Sequence, residues 1–378
     1  MPDTILESAF AELFINDIPL LDVRSPIEFE RGSFPHASNL PLLTDAERQL
    51  VGSEYKQLGR TAAIELGNDL LSGEPKSARV QQWLAYLQNN PGALLTCFRG
   101  GLRSQTVQQW LQENNISVPR VAGGYKAMRR FLIDSIENSA AKDQFIIVAG
   151  KTGTGKTHLI QKLTSSVDLE GLANHRGSAF GRRVSGQPSQ INFENSLAIA
   201  LLKLSGRELN RIFLEDESRS IGSLSLPLCL YNKMRESPIA VVETSLESRI
   251  TTIRDDYIIS NYRDFKAREI ETAAADDLFS KFLLTGLERI KKRLGAENYS
   301  AIRDDMEAAL QRQKRGGDTQ GHRQWIEKLL LNYYDPMYDY QLGKKSRRIV
   351  FRGSADEFLD WAASINAGSP GIKQAKLA

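Results

Sequence analysis

The sequence predicts an α/β fold of two domains, each built around a parallel sheet, with a largely helical part at the carboxyl end of the second. A length of 378 residues suits two or three domains of about 150 residues each. Short aliphatic runs alternate with amphipathic stretches of helical spacing, the usual pattern of parallel sheets. A small polar run at residues 138–143 separates two such patterns. The predicted domains are therefore residues 1–138 and 142–378.

In the first predicted domain, two aliphatic runs that end in a polar residue indicate buried strands at residues 20–23 and 94–97. Helical spacing of apolar side chains predicts helices at residues 80–87 and 104–114. Because the strands alternate with helices, the sheet they form is expected to be parallel.

The second predicted domain opens on a fully apolar strand and continues with further α/β elements. The predicted strands lie at residues 144–149, 211–214, 239–243 and 347–351. Residues 265–333 are predicted to be largely helical, with a polar break at residues 315–318. Residues 355–365 form the predicted closing helix.

Composition places the chain among globular proteins and excludes several other classes. A hydrophobic share of 41% and a charged share of 25% exclude disordered and collagen-like chains. No apolar run reaches the roughly 18 residues of a membrane span, and the acidic amino terminus does not fit a signal peptide. Two cysteines cannot build a disulfide framework or a zinc knuckle. We therefore expect a cytoplasmic protein without membrane contact.

Charge is unevenly distributed along the chain. Residues 1–140 hold 13 basic and 16 acidic side chains, and the remainder holds 36 and 30. A basic second part favours binding of a polyanion such as RNA. Mixed charges on solvated helix faces explain the same numbers equally well.

Residues 97–104, Cys-Phe-Arg-Gly-Gly-Leu-Arg-Ser, follow a predicted strand and open a predicted helix. Backbone N–H groups can converge on an anion at such a turn, and its two glycines allow the chain to curl closely around it. Arg99 and Arg103 add positive charge beside Cys97. We therefore predict Cys97, Arg99 and Arg103 as catalytic residues, with Cys97 as the nucleophile.

This loop resembles the active-site loop of rhodanese domains, whose cysteine carries a transferable sulfur. Residues 22–41 are similar to the amino-terminal signature of that family, and Gly123-Gly124-Tyr125 is similar to its closing turn. The resemblance covers roughly residues 5–135 and implies a rhodanese-like fold. Five residues separate Cys97 from Arg103, whereas sulfurtransferases of the family usually have four. The longer loop also occurs in rhodanese-like phosphatases, so the resemblance implies a phosphate-sized ligand.

Residues 150–157, Gly-Lys-Thr-Gly-Thr-Gly-Lys-Thr, fit the phosphate-binding pattern G-x4-G-K-[ST] between a strand and a helix. The pattern predicts a P-loop NTPase-like domain in which backbone amides cradle a di- or triphosphate. Lys156 neutralises the phosphates, and the Thr157 hydroxyl is the predicted ligand of Mg²⁺. The predicted phosphate-binding residues are Gly150, Thr152, Gly153, Thr154, Gly155, Lys156 and Thr157.

Acids follow the predicted strand at residues 211–214, where this fold commonly places metal-binding or catalytic carboxylates. Glu215 and Asp216 are therefore catalytic candidates, and the sequence does not choose between them. The segment at residues 172–181 is dense in glycine and basic side chains, which makes His175 and Arg176 candidates for contact with substrate or RNA. Arg219 is a third such candidate. Tyr333, Tyr334 and Tyr338 are candidates for stacking on bases.

A rhodanese-like domain followed by a P-loop domain, with these segments, resembles the tRNA 2-selenouridine synthase family over nearly the whole chain. The family implies a tRNA substrate with 2-thiouridine at the wobble position. It further implies two steps, S-geranylation from geranyl diphosphate and then replacement of the geranylthio group by selenium from selenophosphate. Under this resemblance both donors are co-substrates, a selenophosphate-producing enzyme is a candidate partner, Mg²⁺ is a candidate ion, and no tightly bound cofactor is expected. No oligomeric state is predicted.

Three other functions fit parts of the same pattern. The chain could be an ATP-dependent tRNA sulfurtransferase that acts on unmodified uridine. It could be a P-loop NTPase switch with a rhodanese-like phosphatase or sensor domain. It could also be an RNA-binding scaffold in which the thiol has no chemical role.

Overall fold

The structure is a computed structural model that describes residues 3–205, 211–268 and 272–366. The chain divides into two compact units, Met1–Ser139 with Ser189–Gly206, and Ala140–Pro188 with Arg207–Ala378. This division differs from the predicted domains at residues 189–206, which belong to the first unit. The predicted linker at residues 138–143 is also wrong in large part, because the helix Gly124–Lys142 runs through most of it.

The first unit contains a five-stranded parallel sheet. Its strands are β1 (Thr4–Ile5), β2 (Leu20–Asp22), β3 (Ala37–Asn39), β4 (Leu94–Thr96) and β5 (Arg120–Val121). They lie in the order β1-β5-β4-β2-β3, and each neighbouring pair is parallel. The predicted parallel sheet is confirmed, and β2 and β4 occupy the predicted runs. The edge strands are too short to leave a periodic signal in the sequence.

Seven helices accompany this sheet among the described residues. They span Phe10–Ile15, Pro26–Arg31, Asp45–Leu70, Glu74–Asn89, Leu102–Glu113, Gly124–Lys142 and Gln190–Ser205, and a 3₁₀ turn covers Glu7–Ala9. The helices predicted at residues 80–87 and 104–114 are confirmed, although the first begins at Glu74. The helix Asp45–Leu70 was not predicted, because it buries only Ala63 and so lacks an apolar period.

The helix Gln190–Ser205 joins the first unit through specific polar contacts. Asn192 accepts a hydrogen bond from the Ser33 backbone (2.8 Å), and Asn195 accepts one from Arg129 (2.8 Å). Lys203 forms an ion pair with Asp17 (2.6 Å). These contacts join residues 66 to 186 positions apart, so no local pattern in the sequence indicates that this helix packs in the first unit.

The second unit contains its own five-stranded parallel sheet and a short hairpin. Its strands are β6 (Phe145–Ala149), β7 (Ser166–Val167), β8 (Ile212–Glu215), β9 (Ser220–Ile221), β10 (Leu224–Ser225), β11 (Ile239–Val242) and β12 (Ile349–Gly353). The main sheet has the order β12-β11-β6-β8-β7, whereas β9 and β10 pair antiparallel. The four predicted strands of this part are confirmed to within two residues at their amino ends.

Most of the described helices of the second unit follow β11 in the chain. They span Lys156–Lys162, Leu169–Leu172, Leu228–Glu236, Leu246–Ile253, Asn261–Arg268, Thr272–Leu294, Ala296–Gly316, His322–Leu329, Asp335–Gly343 and Ala355–Asn366. Two π-helical segments, Arg254–Ser260 and Leu330–Tyr334, and a 3₁₀ turn, Ser346–Arg348, complete the set. The predicted helical region is confirmed, including its break, where Gly317 ends a helix at φ 71°.

The helical part has a core of its own. Tyr333 and Tyr334 belong to this core and are only 9% and 8% exposed. The prediction that these two tyrosines stack on bases is therefore wrong, since a base cannot reach a side chain packed among apolar neighbours. Tyr338 is half-buried. Within the ranges that the structure describes, no helix has the length and apolarity needed to cross a bilayer.

Candidate functional site

The thiol loop, defined as Cys97–Ser104, joins β4 to the helix Leu102–Glu113 in the first unit. Carboxyl ends of parallel strands meet at one edge of a sheet, so the loop lies beside the residues that follow β2 and β5. The backbone N–H groups of Tyr125 and Lys126, just after β5, donate to the carbonyls of Cys97 (2.9 Å) and Phe98 (3.0 Å). These bonds hold the start of the thiol loop against the Gly123–Gly124 turn.

Close approach of two glycines shapes this loop. Gly100 and Gly124 have φ values of 63° and 57°, a region that favours glycine. A Cβ on Gly124 would overlap the Cys97 carbonyl oxygen and would lie 2.5 Å from the Gly100 nitrogen. Only glycine fits at Gly124, because both neighbours are backbone atoms that cannot move aside.

The thiol loop has the properties of an anion-binding turn. In the described chain, the N–H groups of Phe98, Arg99 and Gly100 donate to no other protein atom. The Cys97 Sγ donates to the Ser104 Oγ (3.3 Å), which donates in turn to the Gly101 carbonyl (2.9 Å). Cys97 is 3% exposed, so a reacting group can reach its sulfur only through the open side of the thiol loop.

Of the two predicted arginines, Arg103 is half-buried and Arg99 is exposed. Arg103 forms a two-pronged ion pair with Glu28 (2.5 and 3.2 Å). Burial opposes the charge of Arg103, but the neighbouring Glu28, with smaller effects of Cys97 and Asp22, outweighs it and raises the Arg103 pKa. Burial likewise opposes the charge of Glu28, and Arg103 outweighs it and lowers the Glu28 pKa. The pair therefore stays charged beside Cys97.

A second ion pair lies beneath this site and was not predicted as part of it. Arg24 is 1% exposed, Asp22 is 0% exposed, and their charged atoms are 2.7 Å apart. Arg24 also donates to the carbonyls of Glu28 (3.1 Å) and Gly32 (2.8 Å), and its guanidinium lies 3.9 Å from the centroid of the Tyr125 ring. Burial raises the pKa of Asp22 against the opposing effect of Arg24. Arg24 thus fixes the segment that carries Glu28.

The glycine-rich loop, defined as Gly150–Thr157, follows β6 and leads into the helix Lys156–Lys162 of the second unit. Gly153 and Gly155 have φ values of 85° and 78°. In the described chain, the N–H groups of Lys151, Thr152 and Gly153 donate to no protein atom. These groups are available to an anion, as the motif predicts.

The side chains of this loop bond within the protein. Lys156 Nζ donates to the Gly150 carbonyl (2.8 Å), and the Thr154 hydroxyl donates to the Lys151 carbonyl. Lys151 forms an ion pair with Asp339 (3.0 Å). The Lys156 ammonium is therefore held over the loop that it is predicted to serve.

A buried arginine braces the glycine-rich loop from the helical part, and sequence reasoning missed it. Arg249 donates through Nε to the Thr152 carbonyl (2.9 Å) and forms a two-pronged pair with Asp335 (2.9 and 2.5 Å). Arg249 is 4% exposed. Because 86 positions separate the two partners, no sequence spacing could have revealed the pair.

Carboxylates converge beside Thr157, and the structure distinguishes between the two predicted acids. The Thr157 hydroxyl donates to Glu170 (3.0 Å), and the Glu170 backbone N–H donates to Glu215 (3.0 Å). Glu215 is 1% exposed, and its Oε1 has no hydrogen-bond partner within the described part of the chain. Asp216 instead forms an ion pair with Lys345 (2.8 Å). Glu215 is therefore the acid of the Thr157 side, and Glu170 is a neighbour that sequence reasoning missed.

The negative charges of the carboxylates beside Thr157 are not balanced by the described residues around them. Burial, and then the charges of Glu170 and Asp168, raise the pKa of Glu215 to about 8. Burial and the charges of Glu170 and Glu215 also raise the pKa of Glu217 well above its ordinary value, against the opposing charge of Lys156. A positive ligand would relieve this repulsion.

The donors near Thr157 fit Mg²⁺ bound together with phosphate oxygens. Mg²⁺ is usually held by one or two carboxylates with substrate phosphates and water. Thr157, Glu170 and the unpartnered oxygen of Glu215 provide such a set. In the ranges described, no three His, Cys, Asp or Glu side chains are grouped closely enough to hold a metal ion by themselves, so phosphate oxygens or water would complete the coordination.

The two predicted candidates in the basic segment, residues 172–181, differ in how deeply they are buried. His175 is 5% exposed, and burial, followed by the charges of Arg182, Arg289 and Arg183, lowers its pKa. This neutral histidine supports the loop and is too buried to contact RNA directly, so that prediction for His175 is not supported by its position. Arg176 is half-buried and donates to Asn261 (2.7 Å).

The exposed arginines of the second unit include Arg182 and Arg289, which lie near enough to His175 to lower its pKa. Arg182, Arg289 and the predicted candidate Arg219 are exposed. Over the ranges that the structure describes, none of the three forms an ion pair with a carboxylate. Unpaired surface arginines of this kind can bind phosphates.

Comparison with known proteins identifies the family. A family model of the tRNA 2-selenouridine synthase AAA domain matches residues 143–368. The tRNA 2-selenouridine synthase of Marinobacter nauticus is 49% identical over 96% of this chain and 98% of its own length. Those of Pseudomonas fluorescens and Aeromonas salmonicida are 51% and 48% identical over 93% and 96% of this chain, and over 96% and 97% of their own lengths. The chain belongs to the tRNA 2-selenouridine synthase family.

Family membership confirms the resemblance drawn from the motifs. The matched AAA domain contains the glycine-rich loop, Glu215 and the basic segment. It also contains the helix Gln190–Ser205, which the structure places in the first unit. In this member of the tRNA 2-selenouridine synthase family, the sequence family's domain and the compact unit therefore differ by one helix.

Proposed function

We propose that this protein converts 2-thiouridine at the wobble position of tRNA to 2-selenouridine through an S-geranylated intermediate. The observation that supports this most strongly is the near full-length similarity to proteins named tRNA 2-selenouridine synthase. Two anion-binding turns in one chain agree with it, because the two proposed donors both carry phosphate.

In the first proposed step, the glycine-rich loop binds the diphosphate of geranyl diphosphate. The sulfur of 2-thiouridine forms a bond to C1 of the geranyl group, the C1–oxygen bond breaks, and diphosphate leaves with the bonding electrons. The N3 proton of the base is lost to solvent or to a nearby carboxylate. Lys156 and the free N–H groups of the loop stabilise the departing charge. Bound through Thr157 and Glu215, Mg²⁺ would add charge stabilisation there.

In the second proposed step, the thiol loop holds the phosphate of selenophosphate, which a separate selenophosphate-producing enzyme would supply. Selenium forms a bond to C2 of the base, the C2–sulfur bond breaks, and geranylthiol leaves. Water cleaves the selenium–phosphorus bond and releases phosphate. In this proposal Cys97 is the residue that contacts selenium. The ion pair with Glu28 orients Arg103 toward the phosphate.

RNA binding is assigned to exposed arginines of the second unit. Arg182, Arg219 and Arg289 are exposed, and contacts from arginine to phosphate position RNA without reading its sequence. The net basic character of residues 141–378 agrees with this assignment.

Separability of the two steps tests the proposal. In Cys97→Ala, geranylated tRNA should still form while selenated tRNA is lost. In Lys156→Ala, geranylation itself should fail. The measurement is mass spectrometry of nucleosides from tRNA incubated with each variant and both donors. Cys229→Ala and Lys162→Ala are matched controls, because each removes the same group outside the two loops.

The outcome also separates the competing functions. Loss of both products in Cys97→Ala would contradict the division of labour between the loops. Thiolation of unmodified uridine with ATP would identify a sulfurtransferase instead. Steady NTP hydrolysis without tRNA would support a switch, and full activity of Cys97→Ala would support a scaffold.

A further inference from the structure

An apolar pocket in the second unit borders the glycine-rich loop. Thr152 of that loop forms part of its wall, and Phe180, Leu283, Trp325 and Leu330 form much of the rest. Among the described residues that line it, none has a charged or amide side chain. The wall of the pocket beside Thr152 is therefore apolar.

The polar atoms of the wall are few. Ser178 donates to the Tyr257 hydroxyl (3.2 Å), and the buried Tyr334 hydroxyl has no hydrogen-bond partner among the residues described. Burial raises the pKa of both tyrosines, so they stay neutral. A nucleobase has several donors and acceptors that would remain unsatisfied here. An isoprenoid chain has none, so the lining favours the isoprenoid over the base of a nucleotide.

Two π-helical segments meet at this pocket. Arg254–Ser260 contributes Tyr257, and Leu330–Tyr334 contributes Leu330 and Tyr334. Such turns distort a helix at a cost in regular hydrogen bonding and are frequent at functional sites. The presence of both segments on one wall points to a functional site, and this observation is separate from the apolar character of the lining.

Phe180 packs tightly in the wall of the pocket. Its ring lies between Trp325, at 6.1 Å between centroids, and Gly286 of the helix Thr272–Leu294. A Cβ on Gly286 would overlap the Phe180 ring. The space that a water-sized sphere can enter is about 20 Å³, room for roughly one water molecule. A ligand larger than one water molecule therefore enters the pocket only if Phe180 turns.

We propose that this pocket receives the isoprenoid chain of the prenyl diphosphate, and that Phe180, positioned by Gly286, limits the length of the chain accepted. This assignment rests on the proposed geranyl transfer. It adds the residues that select the donor.

Competition among prenyl diphosphates tests the assignment. The full chain is incubated with 2-thiouridine tRNA and dimethylallyl, geranyl or farnesyl diphosphate, and kcat/KM is measured from the S-prenylated nucleosides. Phe180→Ala should raise the farnesyl-to-geranyl ratio of kcat/KM by about 10-fold or more, the range for added apolar contacts in a pocket. Gly286→Ala should shift preference toward dimethylallyl diphosphate. Phe282→Ala is the matched control, because it removes an aromatic ring from the same helical part outside the pocket.

Each result bears on one of the two proposals. If the wild-type protein transfers no prenyl group, the proposed function fails. If it transfers geranyl, and folded Phe180→Ala, Phe180→Leu and Gly286→Ala all keep the wild-type ratios, the pocket assignment is overturned. Phe180→Leu guards against misfolding, since it retains an apolar side chain. Competition by ATP that Phe180→Ala alters would assign the pocket to a nucleotide base instead.

Discussion

The two candidate sites differ in how their charges are balanced. Beside the thiol loop, each buried acid has a cationic partner: Asp22 pairs with Arg24, and Glu28 pairs with Arg103. Beside the glycine-rich loop, Glu215 has an oxygen without a hydrogen-bond partner among the described residues and lies near Glu170. The first site is complete in the protein alone. The second keeps a carboxylate group whose negative charges repel one another, and a bound cation would relieve that repulsion.

The largest expected effects come from breaking the buried ion pairs. Arg24→Met leaves the buried Asp22 without its cationic partner. Arg249→Met leaves Asp335 with only the longer contact to Lys151 (3.7 Å). Each should lower the free energy of unfolding by about 3–5 kcal/mol, measured by urea denaturation. Only Arg249→Met should also weaken binding of inorganic diphosphate, because it releases the Thr152 carbonyl.

Arg303→Met is the control for these variants, since its pair with Glu307 lies on the surface, and no measurable change is expected. Equal loss of diphosphate binding in Arg24→Met would argue that the two units do not act separately.

The next effect concerns the backbone of the two loops. Gly124→Ala should lower the free energy of unfolding by about 2–3 kcal/mol, because its Cβ meets fixed backbone at a positive φ. Gly155→Ala, at φ 78° with only His158 nearby at 3.9 Å, should lower it by about 1 kcal/mol. Gly101→Ala has open space and a negative φ, so it serves as the unaffected control. Equal effects at Gly124 and Gly155 would show that the thiol loop is not the more tightly braced one.

A smaller effect is the pH dependence of the second unit. The folded pKa of Glu215 is about 8, above its ordinary 4.5, so folding favours the protonated form. Stability from this group is complete below pH 4.5 and is lost as the pH rises toward 8. Glu215→Gln should therefore gain roughly 1–2 kcal/mol relative to the wild type at pH 8.5, with little difference at pH 4.5.

Thermal unfolding with and without MgCl₂ and diphosphate measures this effect. The added ligands should stabilise the wild type more at pH 8.5 than at pH 6 and should stabilise Glu215→Gln less. A pH-independent difference between the two proteins would contradict the assignment of Glu215 as the charge-deficient acid.

The smallest effect concerns RNA. Arg182→Ala and Arg289→Ala should each weaken tRNA binding modestly and reduce the salt slope of log K by about 1. Filter binding between 50 and 200 mM salt, roughly the range over which such slopes are read, gives the value. Lys281→Ala, an exposed residue of the helix that carries Arg289, is the control. Unchanged slopes in both variants would remove the basic segment from the proposed RNA site.

Much of the fold was predictable because its strongest signals are local. The strands β6, β8 and β11 are continuous apolar runs, and the glycine-rich loop follows β6 within a few residues. By contrast, the helix Asp45–Leu70 buries almost nothing, so its sequence has no apolar period to read. Tyr333 and Tyr334 were misassigned because an aromatic residue has the same local signal in a core as at a base-stacking surface.

The two loops could be predicted from local sequence, because each is formed by glycines and a cysteine or lysine within eight residues of one another. Tertiary structure decided which acid faces Thr157, which unit the helix Gln190–Ser205 joins, and where an apolar pocket opens beside Thr152. These outcomes depend on contacts between residues tens to hundreds of positions apart. Side-chain packing sets such contacts, and no spacing along the chain encodes them.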